Sequence, residues 1–447
     1  MYRLEDIEKI KLNIHNIQEE ALIKYKSDNE PTFEESKQIY ETIKQFIKLK
    51  KRIIYGGFAQ NTLLKMKNPD DVFYKETDTP DIEFYSYDPI RDAMELCDFL
   101  YEKKFKYIQT SEGIHPGTYK IFVNFINYCD ISYLSKNICD SCPFIDYYGL
   151  HLAHPHFMMI DTFRVFTDPL TSYWRLDKVF GRFLKLIKNF PLEQPKITNV
   201  NIKTNNDILN YIRKKIIHNS DFIVIGFYAY NYYVKKVDEK IITLPYYEII
   251  TKDIVTNSKI IYKKLKDKYG NKIKTREYYP FYEYFDARIE YLCDDQVILK
   301  LYGNNSRCIV YNYSEKKECN FGTNQLVFLY LLSNYYYYII NNNNQLSNIY
   351  HYMLYNLIES KNKYLNNNNI TVLDRSPFED FTMKCLGTPV DSIRHAMIEM
   401  NKKKNTGRKT KFRYDPTGKP CKVPEHKIEN NSGNEILNEK YLILKKK

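Results

Sequence analysis

The 447-residue chain is 43% hydrophobic and 15% aromatic, enough for two or three domains with sizeable cores. No stretch nears 18 consecutive apolar residues, and the first residues, MYRLEDIEKIKLN, contain no apolar h-region, so neither a membrane span nor a secretory signal is expected. The net charge is +12, and residues 401–447 hold 14 basic against 5 acidic side chains, a basic tail that suits a polyanion as well as it suits a solvated end.

Nine scattered cysteines read as free thiols in a reducing compartment. One CxxC, Cys139 and Cys142, has His151 and His154 downstream, but a single pair favours two loop thiols over a zinc site. The 43 tyrosines and the Asn runs reflect a bias toward AT-rich codons. The YYYY at 335–338 is then helix or strand filler rather than a base-stacking platform, and the NNNN runs at 341–344 and 366–369 are expected as loops.

In chain order, residues 1–27 alternate apolar and charged positions at helical spacing. Thr32 and Glu35 form a capping box after Pro31, and Ile39, Ile43, Phe46 and Ile47 give the next helix one apolar face. A short strand follows from Arg52 to Tyr55. Gly56–Gly57 then makes a tight turn into a helix beginning near AQNTLLKM. A strand, a double glycine and a helix N-terminus can cradle a phosphate, because the first helical amides are unpaired donors. The run PDIEFYS reads as a strand with Asp81 and Glu83 two apart, hence on one face. An amphipathic helix is expected from about Ile90 to Lys104. TYKIFVNFINYCDISYLS then gives two strands, the second carrying Asp130. DPLTSYWRLDKVFGRFLKLIKNF reads as one helix with Arg175, Lys178, Arg182 and Lys185 along one face. Lys178 and Arg182 are candidates to hold a triphosphate, against the plainer reading of a solvated stripe.

Carboxylates crowded near a core need a cation. Asp81, Glu83 and Asp130 are hard oxygen ligands suited to two Mg²⁺ or Mn²⁺ ions, which can clamp an in-line phosphoryl displacement. The segments YGGFAQN, PDIEFYS and YCDISYLS together resemble the nucleotidyltransferase signature of hG[GS], [DE]h[DE]h and h[DE]h. Within that superfamily the chain is similar to the viral poly(A) polymerases of poxviruses and other large cytoplasmic DNA viruses. The resemblance implies an α/β (α+β) fold of two tandem nucleotidyltransferase-like domains, one active and one degenerate, behind N-terminal helices. The boundaries expected are 1–50 for the helical region, 51–195 for the catalytic domain, 196–395 for the degenerate copy and 396–447 for the basic tail. By resemblance, Asp81 and Glu83 ligate both metals, Asp130 ligates the metal that activates the RNA 3′-hydroxyl, and Gly56 and Gly57 contact the ATP phosphates. The long link from Gly57 to Asp81 requires an inserted loop around KNPDDVFYKE.

The second half repeats the first. IRKKIIHNSDFIVIGFYAYN aligns with IKLKKRIIYGGFAQN, pairing Gly56 with Gly226, Ala59 with Ala229 and Asn61 with Asn231, while Phe227 replaces Gly57. PYYEII puts Tyr246 at Asp81 and Glu248 at Glu83. RCIVYNYS puts Ile309 at Asp130. With two of three carboxylates gone, this copy is expected to be catalytically silent. The reaction expected is template-independent transfer of AMP from ATP to an RNA 3′ end. The rivals are another RNA or oligonucleotide nucleotidyltransferase and a non-catalytic RNA-binding scaffold. The resemblance also implies either a homodimer or a processivity partner subunit, and residence in the host cytoplasm or viral factory, or packaging in the virion.

Overall fold

A computed structural model describes residues 2–29, 32–74, 78–113, 117–195, 202, 204–218, 220–237, 241–278, 287–304, 308–388, 397–398, 401 and 412–418. The tail beyond these, including most of 401–447, lies outside the described residues, as does the end of the loop around KNPDDVFYKE.

Two helices lead the chain, α1 (Leu4–Asn29) and α2 (Phe33–Lys50). Thr32 caps α2 by accepting the Glu35 amide at 3.1 Å, and Ile39, Ile43, Phe46 and Ile47 are buried. By contrast α1 leaves Leu4, Leu12, Leu22 and Ile23 exposed. The first unit continues as β1 (Ile53–Tyr55), α3 (Gly56–Lys67), β2 (Ile82–Ser86), α4 (Pro89–Glu102), β3 (Gln109–Glu112), β4 (Thr118–Val123), β5 (Ile126–Tyr133), α5 (Lys136–Ser141), β6 (Phe144–Tyr147), β7 (Leu150–Ala153), α6 (Pro155–Phe166), α7 (Pro169–Ser172) and α8 (Leu176–Asn189). The single helix expected over 168–190 is therefore broken, with a 3-10 turn at Tyr173–Arg175 between α7 and α8. Helix α3 starts at Gly56 itself rather than near Ala59.

The second unit runs α9 (Asn206–Ile212), β8 (Ile223–Ile225), α10 (Gly226–Val234), β9 (Tyr247–Thr251), α11 (Ile254–Tyr269), β10 (Ile273–Tyr278), β11 (Arg288–Cys293), β12 (Gln296–Gly303), β13 (Ile309–Ser314), β14 (Cys319–Gly322), α12 (Asn324–Ile340), α13 (Asn344–Asn368) and β15 (Cys385–Leu386). The two Asn runs differ from expectation. Asn343 caps α13 by accepting the Leu346 amide, while Asn366–Asn368 are the last helical turn, which closes on Asn369 with φ +51°. Asn tolerates that left-handed backbone better than most residues.

Strand order exposes the repeat. The first sheet runs β16-β3-β4-β5-β2-β1-β7-β6 and the second β10-β11-β12-β9-β8-β14-β13-β15, β16 being Arg413–Tyr414. Removing β16 and β15, the seven remaining strands match one for one. In both sheets the first strand pairs antiparallel with the carboxylate strand, β1 with β2 and β8 with β9. In both, that carboxylate strand pairs parallel with the next strand out, β2 with β5 and β9 with β12.

Register corrects one sequence pairing. Glu83 lies level with Asp130, and Glu248 lies level with Lys300. The counterpart of Asp130 is therefore Lys300 on β12. Ile309 opens β13, at the far side of the sheet, and β13 corresponds to β6. Short apolar runs around a cysteine look alike at either place, and only the hydrogen-bond ladder separates them.

Cys308 and Cys385 form a disulfide, Cα to Cα 5.3 Å, where β15 pairs with β13. This corrects the expectation of free thiols throughout: antiparallel pairing of Ile309 with Leu386 draws the neighbouring cysteines together. The units pack through α6 on α12, with Phe163 on Phe328 at 4.3 Å between ring centroids, Phe157 edge-on to Tyr336, and Tyr336 hydrogen-bonded to His154. The chain end returns to the first unit: β16 pairs with β3, the Phe412 carbonyl accepts the Glu112 amide, and Phe412 packs edge-on against Tyr119.

Candidate active site

Strand β2 alternates buried and half-buried residues. Ile82 and Phe84 face the core, which leaves Glu83 on the opposite, cleft-side face together with Asp81. Parallel pairing with β5 sets Asp130 beside Glu83. The three carboxylates of the sequence pattern thus come from two adjacent strands of one sheet face.

Their environment is short of positive charge. Burial, then the field of Asp81, push the Glu83 carboxyl up to about 7. Burial and Asp130 likewise raise Asp81. Three side chains answer part of this. Lys120 on β4, level with Asp130, reaches it at 2.6 Å. The Asn127 amide donates to Asp130 at 3.0 Å and to Asp81 at 3.4 Å. Lys178 contributes its field at Asp81. Nothing in the local sequence marks Lys120 or Asn127 as part of the site. Lys120 alternates with apolar residues in TYKIFV, which marks its face but not its partner.

Gly56 opens α3 with φ +69°, and a Cβ there would sit 1.7 Å from a Glu83 carboxylate oxygen. Only glycine meets both demands. The Gly57 amide donates to Glu83 at 2.9 Å, so in this arrangement the first helical donor serves the carboxylate. A Cβ at Gly57 would lie 2.8 Å from Arg182 Nη1 and 2.6 Å from the Tyr74 hydroxyl. Arg182 donates to that hydroxyl at 2.7 Å and lies over the Phe73 ring. The Asn61 side chain accepts the Phe73 and Tyr74 amides, latching the loop after α3 over the glycine turn. Lys185 and Lys188 tie the same loop to α8 through the Val72 carbonyl and Asp71. Arg182 is thus at the glycine turn, and Lys178, one helical turn before it, is exposed and acts on Asp81.

The donor set fits divalent cations. It offers hard carboxylate oxygens, those of Asp81 and Glu83 with pKa values raised by burial, and the buried Asn127 Oδ1 has no hydrogen-bond partner. Among the described residues no three His, Cys, Asp or Glu are gathered as ligands of one ion, because Glu83 is turned to Gly57 and Asp130 to Lys120. Cys139, Cys142, His151 and His154 are engaged elsewhere: Cys139 points at the Leu134 carbonyl, His151 stacks on Phe144, and His154 caps α6.

The second copy keeps the frame and loses the cleft. Gly226 repeats the positive φ, and a Cβ there would strike Glu248 at 2.0 Å. Asn231 repeats the Asn61 latch, gripping Ile242 through both its groups. Tyr246 stands where Asp81 would be. Helices α12 and α13 fill the space: Asn334 and Tyr350, with Tyr302 of β12, donate to the fully buried Glu248. Lys300, 1% exposed, is hydrogen-bonded to Tyr338, lies 4.1 Å from the Tyr246 ring centroid and 3.9 Å from Glu290. Burial pulls its pKa down, but Tyr338, Glu290 and Glu248 outweigh that and raise it. Register pairs Glu290 with Lys300 as it pairs Lys120 with Asp130. The cross-strand ion pair has swapped its signs.

Two sheets of one topology, the first with an open carboxylate face beside a glycine-opened helix and the second with that face filled, define a tandem nucleotidyltransferase. Residues 41–172 match the family "Poly(A) polymerase catalytic subunit", and residues 182–446 match "APMV, Putative poly(A) polymerase, catalytic subunit, C-terminal". A protein of Acanthamoeba polyphaga mimivirus bearing the name "Putative poly(A) polymerase catalytic subunit" is 30% identical across 99% of this chain and 84% of its own length. African swine fever virus proteins of the same name include one from a Kenyan pig isolate, 36% identical over 34% of this chain and 31% of theirs. The crystal structure of the Megavirus polyadenylate synthase superposes with a TM-score of 0.88 at 30% identity, covering 99% of this chain and 94% of that one. The chain belongs to the poly(A) polymerase catalytic subunit family.

Proposed function

We propose that the cleft of the first sheet carries template-independent polyadenylation, with ATP as substrate and the 3′-hydroxyl of RNA as acceptor. The observation that carries this reading is the face shared by Asp81, Glu83 and Asp130 next to the Gly56–Gly57 helix start. Asp81 and Glu83 would hold two Mg²⁺ or Mn²⁺ ions between them, and Asp130 would complete the site for one. When bound, such ions lower the pKa of an attacking hydroxyl and neutralise a leaving pyrophosphate. Arg182 and Lys178 carry the positive charge that a triphosphate needs on the α8 side of the cleft. Gly56 and Gly57 leave the backbone open to its phosphates. A P–O bond forms from the 3′-oxygen to the α-phosphorus, the bond to the β-phosphate bridge breaks, and pyrophosphate departs. The second sheet, its face filled by α12 and α13, serves as a packing partner and a wall for RNA. The units we propose are 51–195 and 196–395, which bracket the two sheets apart from β16. A homodimer or a partner subunit is proposed to keep the enzyme on its RNA. The kinship with large cytoplasmic DNA viruses supports action in the host cytoplasm or viral factory.

The test is a primer-extension assay with a short RNA, each NTP in turn, and Mg²⁺ or Mn²⁺. AMP addition is expected from ATP. Asp81→Ala, Glu83→Ala and Asp130→Ala should each abolish it while the protein stays folded. A folded Asp81→Ala enzyme that extended primers at the normal rate would show the assignment to be wrong, and equal use of all four NTPs would favour a different nucleotidyltransferase.

A further inference from the structure

The basic face of α8 continues past the carboxylates. Reading toward its N-terminus, Lys188 and Lys185 hold the loop at Asp71 and Val72, Arg182 meets the glycine turn, and Lys178 acts on Asp81. About 6 Å further along, taking a rise of roughly 1.5 Å per residue, comes the 3-10 turn Tyr173–Arg175. It carries the only tryptophan of the chain. Trp174 is 64% exposed and Tyr173 is 73% exposed, and the Arg175 guanidinium lies 5.6 Å from the Trp174 ring centroid. Large aromatics normally bury their area in a core. Here two adjacent ones are left in solvent beside a cation, one helical turn before the Lys178 whose charge acts on Asp81.

We propose that Trp174, flanked by Tyr173 and Arg175, is the stacking platform for the terminal bases of the single-stranded RNA whose 3′ end enters the cleft. The inference rests on placing the chemistry at Asp81, Glu83 and Asp130. Unpaired bases stack on exposed aromatic and guanidinium planes. Such stacking is tolerant of sequence, as a template-independent enzyme requires, since every base has a π-face. The neighbouring charge fits the same ligand: Arg175 and Lys178 are basic, the stripe is continuous with the site, and RNA brings one phosphate per nucleotide. A protein partner would find this apolar patch rimmed by cations that lead into a catalytic cleft, which is poor complementarity for a generic docking face.

The single tryptophan makes the test direct, because all indole emission reports on this position. Full-length protein, without divalent metal, is titrated with a short oligo(A) and separately with ATP. Oligo(A) should quench or shift the emission with the same Kd that fluorescence anisotropy of the labelled oligonucleotide gives, and ATP alone should leave it unmoved. Trp174→Ala should weaken oligo(A) binding about tenfold, within the range expected for one lost stack. It should raise KM for RNA by a similar factor without moving KM for ATP, and Trp174→Phe should recover most of the loss. RNA that binds by anisotropy without touching the emission, or a Trp174→Ala protein with wild-type RNA affinity, would overturn the proposal. So would emission that changes with protein concentration in the absence of RNA, which would assign the patch to a second copy of the chain. The two readings fail separately. Quenching by RNA in a protein that transfers no AMP would sink the assignment of chemistry and leave the platform standing, whereas AMP transfer without quenching would do the reverse.

Discussion

Glu83 is half-buried beside Asp81 and hydrogen-bonded to the Gly57 amide, and its carboxyl is pushed up to about 7 because desolvation and then Asp81 outweigh that bond. Its folded pKa therefore lies above the unfolded value of about 4.3. A group raised in this way contributes its stability fully below the unfolded pKa and loses it as pH climbs through the folded one. Glu83→Gln keeps the shape and removes the titration. In chelator, Glu83→Gln should melt above wild type at pH 8, and the gap should close toward pH 5; a gap that stayed constant with pH would contradict the burial argument. Ions that need the ionised form should narrow the gap at pH 8 by stabilising wild type. That Asp81 and Glu83 share a face was legible in the sequence, because alternation along a strand fixes it, whereas the place of Asp130 beside them comes from the pairing of β2 with β5. Lys120, Asn127 and Tyr74 were not legible, because their partners lie across a ladder or under a loop. No local spacing encodes that Lys120 faces Asp130, and the latch made by Asn61 becomes visible only once the loop closes back on α3.

At the scale of strands and helices, the filled face of the second sheet changes what a substitution there should do. Glu248 is the last carboxylate of the degenerate site, so its loss should spare AMP transfer. Yet it accepts from Tyr302, Asn334 and Tyr350 and helps to balance Lys300. Removing one member of a buried charged set typically costs about 3–5 kcal/mol. Glu248→Ala should lower the unfolding free energy by an amount of that order, read from denaturant melts, while the folded fraction retains normal transfer per molecule. Activity lost in step with Asp81→Ala at full folding would mean that the second site takes part in chemistry. The added strand β16 makes a second prediction at this scale. Ending the chain after residue 411 removes the ladder to β3 and the Phe412–Tyr119 contact and should cost about 1–2 kcal/mol. Ending it after Gly418 should cost nothing measurable, and equal melting of the two truncations would count against the strand. The repeat itself could be read from two short motifs in order, those of Gly226 and Glu248. The place of Asp130's counterpart could not, since β12 and β13 are both apolar strands and only pairing with β9 identifies the one that matters.

For the molecule as a whole, β16 delivers the end of the basic run to the edge of the catalytic sheet. Between residues 402 and 411 lie five lysines and one arginine. Replacing these six with Ala should weaken RNA binding at low salt and flatten the plot of log K against log[salt], because fewer counterions are released. An unchanged slope in a salt series would remove that run from the RNA path. The exchange of signs between Lys120–Asp130 and Glu290–Lys300 also bears on descent. Lys300→Asp alone would press a third carboxylate against Glu248 and Glu290 in a space that α12 and α13 have buried. Tyr246→Asp alone would leave a cavity and another unpaired charge. Each backward step is worse than the state it starts from, and the helices would have to lift away before any of them helped. The duplicated half has crossed a ratchet: with a tethered ammonium fixed where the first half keeps a carboxylate, it can diverge further as a scaffold, but no single substitution restores the carboxylate face.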